Sequence, residues 1–150
     1  MTHVDAGDAS IPKLGLGTWQ LTGPGAAETV RAALELGYRH VDTAQAYDNE
    51  RQVGEGIRRS DVDREEVFLT TKLWRSNLRR GDVEQSVRAS LDRLEVECVD
   101  LLLIHWPHPR VPVEETLSAM VDLREEGLVE HIGVSNFTRA GLREALEAVD

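Results

Sequence analysis

Five short apolar runs recur along this 150-residue chain, and each is followed by polar residues and then by a segment with helical periodicity. The runs end near residues 18, 43, 72, 105 and 135, so consecutive ends are 25 to 33 residues apart. Strand–helix units of this length join parallel strands through right-handed crossovers. The repeat therefore predicts an α/β fold with one parallel sheet, and residues 1–150 form a single predicted domain without a linker.

The apolar runs themselves are predicted to be the strands. They cover residues 11–20, 38–43, 67–71, 99–104 and 131–134. The run 99–104 is almost unbroken, which predicts burial on both faces. Pro107 ends it, because proline has no N–H to donate to a neighbouring strand.

Apolar residues three and four positions apart predict the intervening helices. A turn is predicted at residues 23–25, and Gly37 and Gly127 are predicted to end the first and fourth helices. Asp82 is predicted to cap the third helix or to place a favourable negative charge at its start, and Thr138 is predicted to cap the last helix. The inward faces are predicted to be Val30, Ala33 and Leu34; Val53 and Ile57; Val83, Val87, Leu91 and Leu94; Val113, Leu117, Met120 and Val121; and Leu142, Leu146 and Val149.

Two architectures share this alternation, the doubly wound sheet and the (β/α)8 barrel. No phosphate loop and no Gly-x-Gly-x-x-Gly fingerprint lies between the first strand and the first helix, and Gly15-Leu16-Gly17 alone is weak evidence for a dinucleotide fold. The barrel is therefore favoured. Eight units need roughly 250 residues, so five units predict a partial barrel with open sheet edges and uncovered apolar helix faces.

The composition argues against several classes of protein. With 41% hydrophobic and 29% charged residues, the chain is typical of soluble globular proteins. A net charge of −10 argues against a nucleic-acid partner. No run of about 18 apolar residues and no secretory segment is visible, so no membrane association is predicted. The single cysteine, Cys98, fits a reducing cytoplasm and is predicted to be a buried, inert thiol.

The basic residues comprise 15 arginines and only two lysines, Lys13 and Lys72. An acidic chain poor in lysine is consistent with a salt-rich cytoplasm, where ions screen self-repulsion, and a GC-rich genome explains the arginine bias equally well. Lys72 directly follows an apolar strand, where a charge is costly unless it is paired. Arginine cannot replace a compact ammonium, and Asp42 is the expected partner.

In a barrel the carboxyl ends of all strands open on one face, where the active site forms. This predicts that polar and aromatic residues at the strand ends converge: Trp19, Asp42, Tyr47, Lys72, His105, Ser135 and Asn136. Several also have an ordinary structural explanation, such as a loop aromatic for Tyr47 or turn residues for Ser135 and Asn136. The pattern as a whole indicates an enzyme.

Five strings of residues resemble motifs of the aldo-keto reductase family. They are Gly-Leu-Gly-Thr-Trp (15–19), Tyr-Arg-His-Val-Asp-Thr-Ala (38–44) with Tyr47, Thr-Lys-Leu-Trp (71–74), Asp-Leu-Leu-Leu-Ile-His-Trp-Pro (100–107) and Ile-Gly-Val-Ser-Asn-Phe (132–137). Their order and spacing match the family over nearly the whole chain. Within the family, the chain resembles small prokaryotic reductases of the diketogluconate or methylglyoxal type.

The resemblance implies an NADPH-dependent carbonyl reductase with a catalytic tetrad at Asp42, Tyr47, Lys72 and His105. Tyr47 would protonate the alkoxide that hydride transfer creates, and His105 would orient the carbonyl oxygen. An ammonium about 4 Å from a phenolate stabilises it by roughly 4 kcal/mol at an effective dielectric of 20. Lys72 would supply that charge, and Asp42 would keep the lysine protonated.

The resemblance also implies cofactor contacts. Ser135 and Asn136 would bind the nicotinamide carboxamide, and Thr18 with Asp42 would lie near the nicotinamide ribose. The preference for NADP rests on the resemblance alone, with NAD as the alternative. The resemblance further implies an apolar substrate pocket. Its walls would be the side chains of Trp19, Trp74, His105 and Trp106. No metal site is predicted.

Family members have three further strand–helix units, which carry the rest of the cofactor site. Three hypotheses follow from the five units present. The chain is a reductase or the N-terminal part of one, a non-enzymatic module of the same fold, or a remnant that does not fold stably alone. The expected partners are a small carbonyl substrate and, through the open edges, a second copy of the chain.

Overall fold

A computed structural model describes residues 2–149 as a short hairpin followed by five strand–helix units. The strands are β1 (His3–Ala6), β2 (Ala9–Pro12), β3 (Leu16–Gly17), β4 (His40–Asp42), β5 (Phe68–Leu73), β6 (Val99–Ile104) and β7 (Val129–Val134). The helices are α1 (Gly23–Glu35), α2 (Glu50–Arg59), α3 (Arg80–Leu94), α4 (Val113–Glu125) and α5 (Arg139–Glu147).

The five strands β3 to β7 form one parallel sheet in which neighbours in space are also neighbours in the chain. A doubly wound sheet reverses its strand order at a switch point. An unreversed order belongs to a barrel, so the predicted partial (β/α)8 barrel is confirmed. Among residues 2–149, β3 and β7 each pair on one side only.

A hairpin of β1 and β2, which was not predicted from the sequence, precedes the barrel. Residues 11–20 are therefore not one strand, because Ile11 and Pro12 belong to β2 and only Leu16 and Gly17 form the first barrel strand. The hairpin contacts two of the barrel strands, β4 and β7. The Pro12 carbonyl lies 3.3 Å from His40 Nδ1, and Asp8 lies 3.3 Å from His131 Nδ1.

The predicted inward faces of the first three helices are confirmed, and all of their residues are buried. Gly37 follows the end of α1 with φ +103°, a conformation that glycine adopts without strain. The turn predicted at residues 23–25 is instead the first turn of α1. Pro24 is compatible with that position because the first N–H groups of a helix have no intrahelical acceptor.

The predicted inward face of α5 is wrong. Leu142, Leu146 and Val149 are 45%, 55% and 44% exposed, and Ala145 is the buried residue of this helix. α5 packs against α4, and within the described residues no element covers its other side. The Thr138 cap is confirmed, since its Oγ1 accepts a hydrogen bond of 3.1 Å from the Gly141 N–H.

Strand limits and burial differ from prediction in smaller ways. β4 begins at His40 rather than Tyr38, β5 extends through Lys72, and β7 begins at Val129. β6 has the predicted limits, but the predicted burial of both faces is incomplete, because Asp100, Leu101 and Leu103 are only partly buried. In α4, Leu117 and Met120 are buried as predicted, whereas Val113 and Val121 are only partly buried.

Candidate active site

Four ionisable side chains lie together at the carboxyl ends of adjacent strands. Asp42 ends β4, Lys72 lies next to the end of β5, and His105 directly follows β6. Tyr47 lies in a short 3₁₀ turn, Gln45–Tyr47, that follows β4. The parallel order of β4, β5 and β6 thus places residues far apart in sequence within one site.

The Lys72 ammonium is the centre of this group. Lys72 is only 6% exposed, and its ammonium forms an ion pair with Asp42. It also donates to the Thr43 carbonyl at 2.9 Å and to Tyr47 Oη at 3.3 Å. These three acceptors match the three N–H donors of an ammonium. The charge is therefore held beside the phenol.

His105 packs edge-on against two aromatic rings. Its ring centroid is 5.7 Å from that of Tyr47 and 5.4 Å from that of Trp74. Burial lowers the pKa of His105, the nearby charge of Lys72 lowers it further, and Asp42 opposes both. The imidazole is therefore neutral at pH 7, and a neutral imidazole can donate one hydrogen bond. Its Nδ1 is buried and has no partner within the described residues.

Substituting Lys72 with Met should raise the pKa of His105. The substitution removes the positive charge that lowers this pKa and leaves the Asp42 carboxylate, which raises it. An NMR titration of the histidine ring protons measures the change, with the His105 signal assigned by its loss in His105→Gln. Lys13→Met, at the other lysine and beside the hairpin, is the control and should leave the titration unchanged. A lower pKa in Lys72→Met would contradict the electrostatic coupling.

An aromatic cleft of about 530 Å³ opens over this group of residues. Its lining consists of Trp19, Ala46, Tyr47, Trp74, His105 and Trp106, which includes all three tryptophans of the chain. The Arg75 guanidinium lies 5.5 Å from the centre of the Trp106 ring, in a cation–π contact. The structure thus brings the three tryptophans around one cleft, and their role in substrate binding stays a prediction.

Three residues were predicted to contact the cofactor alone, and they differ in exposure: Ser135 and Asn136 are accessible, whereas Thr18 is buried. Asn136 follows β7 with φ +59°, and its amide donates to the His105 carbonyl at 2.8 Å. Ser135, beside it, is partly exposed, and its Oγ lies 3.2 Å from the same amide. Thr18 is fully buried, and its hydroxyl donates to the Asp42 carbonyl at 2.9 Å.

Ser135 and Asn136 carry the polar groups that the carboxamide of a nicotinamide would need. The Ser135 hydroxyl and the Asn136 amide can both donate and accept hydrogen bonds, as a carboxamide requires. Asn136 also ties the end of β7 to His105, so the two strand ends are fixed relative to each other. The buried Thr18 supports the Asp42 backbone rather than presenting its hydroxyl to the cleft. Its predicted ribose contact stays a prediction.

Two buried residues that follow the Tyr47 turn, Asn49 and Glu50, were not predicted from the sequence. Asn49 is buried and joins Thr43 Oγ1 to the carbonyls of Thr18 and Leu21. Glu50 is buried as well and binds Thr71 and Arg93. The only signal is the string Asn49-Glu50 directly after the Tyr47 turn. A glutamate at a helix start is ordinarily explained by the helix dipole, so the sequence does not reveal its burial.

Cys98 is half-buried and donates its thiol to the Val99 carbonyl at 3.3 Å. Burial raises the pKa of this thiol, and the charges of Glu130 and Asp100 raise it further. The thiol is therefore protonated at neutral pH and weakly nucleophilic. Over residues 2–149, no helix is long and apolar enough to cross a membrane, and no three acidic, histidine or cysteine side chains are grouped to hold a metal ion.

A partial parallel barrel with a lysine, a tyrosine and a histidine at its carboxyl face defines an α/β-barrel protein with an enzyme-like site. A sequence profile of the Aldo/keto reductase family matches residues 13–149. The chain belongs to this family, and the family predicted from the five motifs is confirmed.

Similar proteins include "Methylglyoxal reductase DkgB" of Escherichia coli O157:H7, which is 46% identical over 142 residues. That alignment covers 93% of this chain and 53% of the relative. An "Aldo-keto reductase" of Mycobacterium sp. (strain KMS) is 46% identical over 140 residues, covering 93% of this chain and 51% of the relative. The chain thus spans about half the length of the curated relatives it matches.

Solved structures agree with these sequence matches. The thermostable aldo-keto reductase Tm1743 superposes with a TM-score of 0.92 at 40% identity, covering 99% of this chain and 58% of that chain. An aldo/keto reductase from Brucella melitensis superposes with a TM-score of 0.91 at 43% identity, covering 97% of this chain and 57% of that chain. The five strand–helix units therefore correspond to somewhat more than half of each of these chains.

Proposed function

We propose that this chain carries the catalytic residues of an NADPH-dependent carbonyl reductase, which converts aldehydes or ketones to alcohols. The observation that carries the proposal is the contact of 3.3 Å between Lys72 Nζ and Tyr47 Oη, with Asp42 bound to the same ammonium. A phenol, an ammonium and a neutral imidazole facing one aromatic cleft suit the protonation of a carbonyl oxygen.

Tyr47 is the proposed proton donor. A phenol is a weak acid at neutral pH, so donation needs a nearby charge that stabilises the phenolate left behind. The Lys72 ammonium, whose nitrogen lies 3.3 Å from Tyr47 Oη, would supply that charge.

Asp42 and His105 have supporting roles in this proposal. The Asp42 carboxylate forms an ion pair with the Lys72 ammonium and limits the directions in which the ammonium can point. His105 is neutral at pH 7 because its pKa is lowered, so it can donate one hydrogen bond to a carbonyl oxygen without repelling the ammonium. That bond would orient the carbonyl toward Tyr47.

Bound NADPH would supply the hydride for this reaction. Ser135 and Asn136 are proposed to hold the carboxamide of its nicotinamide, and Asp42 is proposed to lie near the ribose. Tyr47 would then donate its proton to the developing alkoxide of a substrate bound in the cleft of three tryptophans. NADPH is proposed over NADH from the family resemblance alone.

The proposed substrate is a small carbonyl compound, with methylglyoxal as the first candidate. Several similar relatives carry the name methylglyoxal reductase. The aromatic, uncharged walls of the cleft suit a compact neutral dicarbonyl. The cleft has no carboxylate among its lining residues that would repel an electron-rich oxygen.

The test is the oxidation of NADPH, followed at 340 nm with methylglyoxal and with no carbonyl added. Dicarbonyl-dependent oxidation supports the proposal, and the same assay with NADH decides the cofactor preference. Cooperative unfolding without turnover would favour the non-enzymatic module. Non-cooperative unfolding together with binding of a hydrophobic dye would favour the unstable remnant.

We also expect the chain to associate with a second copy of itself. β3 and β7 leave unpaired backbone groups in the described residues, and Leu142, Leu146 and Val149 form an uncovered apolar face. Sedimentation velocity should show a dimer or larger species at micromolar concentration. Leu146→Glu should shift the population toward monomer, and a wild-type chain that sediments only as folded monomer would contradict the expectation.

A further inference from the structure

The first residue of α2 is a buried carboxylate that the proposed reaction does not use. Glu50 is 2% exposed, although it begins a helix directly after a loop. It lies three residues beyond Tyr47 in the chain. Burying a charge is costly unless it is paired and hydrogen-bonded, so the partners of this carboxylate indicate what it does.

The Glu50 carboxylate joins three elements of the barrel. Its Oε1 accepts a hydrogen bond of 2.6 Å from the hydroxyl of Thr71, the residue directly before Lys72 in β5. Its Oε2 accepts from Arg93 of α3, at 2.8 Å from Nε and 2.7 Å from Nη2. The start of α2 is thereby tied to the strand that carries the ammonium.

The other end of the Tyr47 turn is fixed by Gln45. Its side-chain oxygen accepts from the Trp74 N–H at 2.8 Å and from the Asn77 amide at 2.9 Å. Its amide donates to Ser90 Oγ at 3.2 Å, and Arg93 donates to the same oxygen at 3.1 Å. Both flanks of Tyr47 are therefore connected to Arg93.

The Tyr47 ring has two further contacts: it packs edge-on against His105, and the Lys72 ammonium lies 5.0 Å from its centroid. Tyr47 is half-exposed, and the only hydrogen bond of its hydroxyl within the described residues is the one from Lys72 at 3.3 Å. The backbone on either side of Tyr47 therefore contributes to the separation between the phenol and the ammonium. Buried ion pairs contribute little to stability compared with apolar residues of similar volume. A role in geometry explains this one better.

We propose that Glu50 and Arg93 form a positioning pair, which sets the distance between Tyr47 Oη and Lys72 Nζ. Glu50 acts on Lys72 through Thr71 and on Tyr47 through the start of α2, and Arg93 connects this carboxylate to Gln45 by way of Ser90. The inference rests on the proposed reductase function, because it assigns the pair to the same proton-donating group.

Glu50→Gln tests the proposal, because it keeps an acceptor for Thr71 and removes the charge that binds Arg93. NADPH oxidation should show kcat lowered by about 10-fold or more, with KM changed by less than about 2-fold, as expected for a displaced catalytic group. Glu50→Asp keeps the charge on a shorter side chain and should recover part of kcat. Arg93→Gln should repeat the effect of Glu50→Gln.

Arg64→Met is the matched control. The Arg64–Asp100 ion pair is also partly buried, at 2.7 Å, but lies near the amino end of the sheet, where Arg64 binds the Val67 and Cys98 carbonyls. It should lower thermal stability without changing kcat measured well below the unfolding temperature. A kcat loss as large in Arg64→Met as in Glu50→Gln would overturn the proposal.

A second readout needs no turnover. The His105 ring protons feel the ring currents of Tyr47 at 5.7 Å and Trp74 at 5.4 Å, so their NMR resonances report the position of the Tyr47 turn. These resonances should move in Glu50→Gln and stay in place in Arg64→Met. If Glu50→Gln lowers stability but leaves them unchanged, the pair is only structural and the proposal fails. If the parent oxidises no NADPH, the proposed function fails, and these resonances still decide whether the pair positions Tyr47.

Discussion

Tyr47→Phe should lower kcat for NADPH-dependent carbonyl reduction by about 10²- to 10⁴-fold, the range for losing a general acid. The substitution removes only the hydroxyl that Lys72 contacts at 3.3 Å, and it keeps the ring that packs against His105. KM should change little, because the cleft walls stay in place. Steady-state kinetics with methylglyoxal over a range of concentrations measures both parameters.

Tyr38→Phe is the control for this experiment. Tyr38 is the only other tyrosine of the chain, and it precedes β4 at the opposite end of that strand from the site. Its substitution should leave kcat within about 2-fold of the parent. Equal kcat values for Tyr47→Phe and the parent would rule out Tyr47 as the proton donor and would remove the central step of the proposed mechanism.

Gly54→Ala should lower the free energy of unfolding far more than a glycine-to-alanine substitution at an exposed position. A Cβ added at Gly54 would lie 2.1 Å from the Leu94 carbonyl oxygen and 2.6 Å from its carbon. Backbone atoms cannot move aside as a flexible side chain can, so α2 and α3 would have to separate. We expect a loss of about 3 kcal/mol in the free energy of unfolding, the upper end of the usual range for overpacking.

Thermal unfolding followed by circular dichroism measures this effect, and for a chain of this size it corresponds to roughly 10 °C in Tm. Gly81→Ala is the matched control, because Gly81 is an exposed residue of α3 with no atom within 4 Å of an added Cβ. There alanine should be neutral or stabilise by up to about 1 kcal/mol, since it restricts the unfolded chain. Equal Tm values for Gly54→Ala and Gly81→Ala would contradict the close contact between α2 and α3.

Much of the fold could be predicted from the sequence, because the signals are local. The alternation of apolar runs with helical periodicity reflects bond geometry within each segment, and it located all five helices and four barrel strands, while the first predicted strand combined part of β2 with β3. The hairpin was missed because its first strand, His3–Ala6, is only 4 residues long and exposed, so no apolar run marks it in the sequence. The face of α5 was wrong because Leu142 and Leu146 are apolar whether or not a neighbour covers them.

The residues of the site also differ in whether a local sequence signal marks them. From the sequence, Lys72 was marked as unusual by its type, a rare ammonium after an apolar strand, and the partner Asp42 followed from the need to neutralise it. Glu50 and Arg93 carried no such mark, since charged residues at a helix start and end are ordinary on a surface. Only the tertiary structure buries Glu50 against Thr71, because burial depends on residues that are distant in the chain. The sequence by itself thus determined which groups could do chemistry, and the packing of β5, α2 and α3 decided which groups hold them in place.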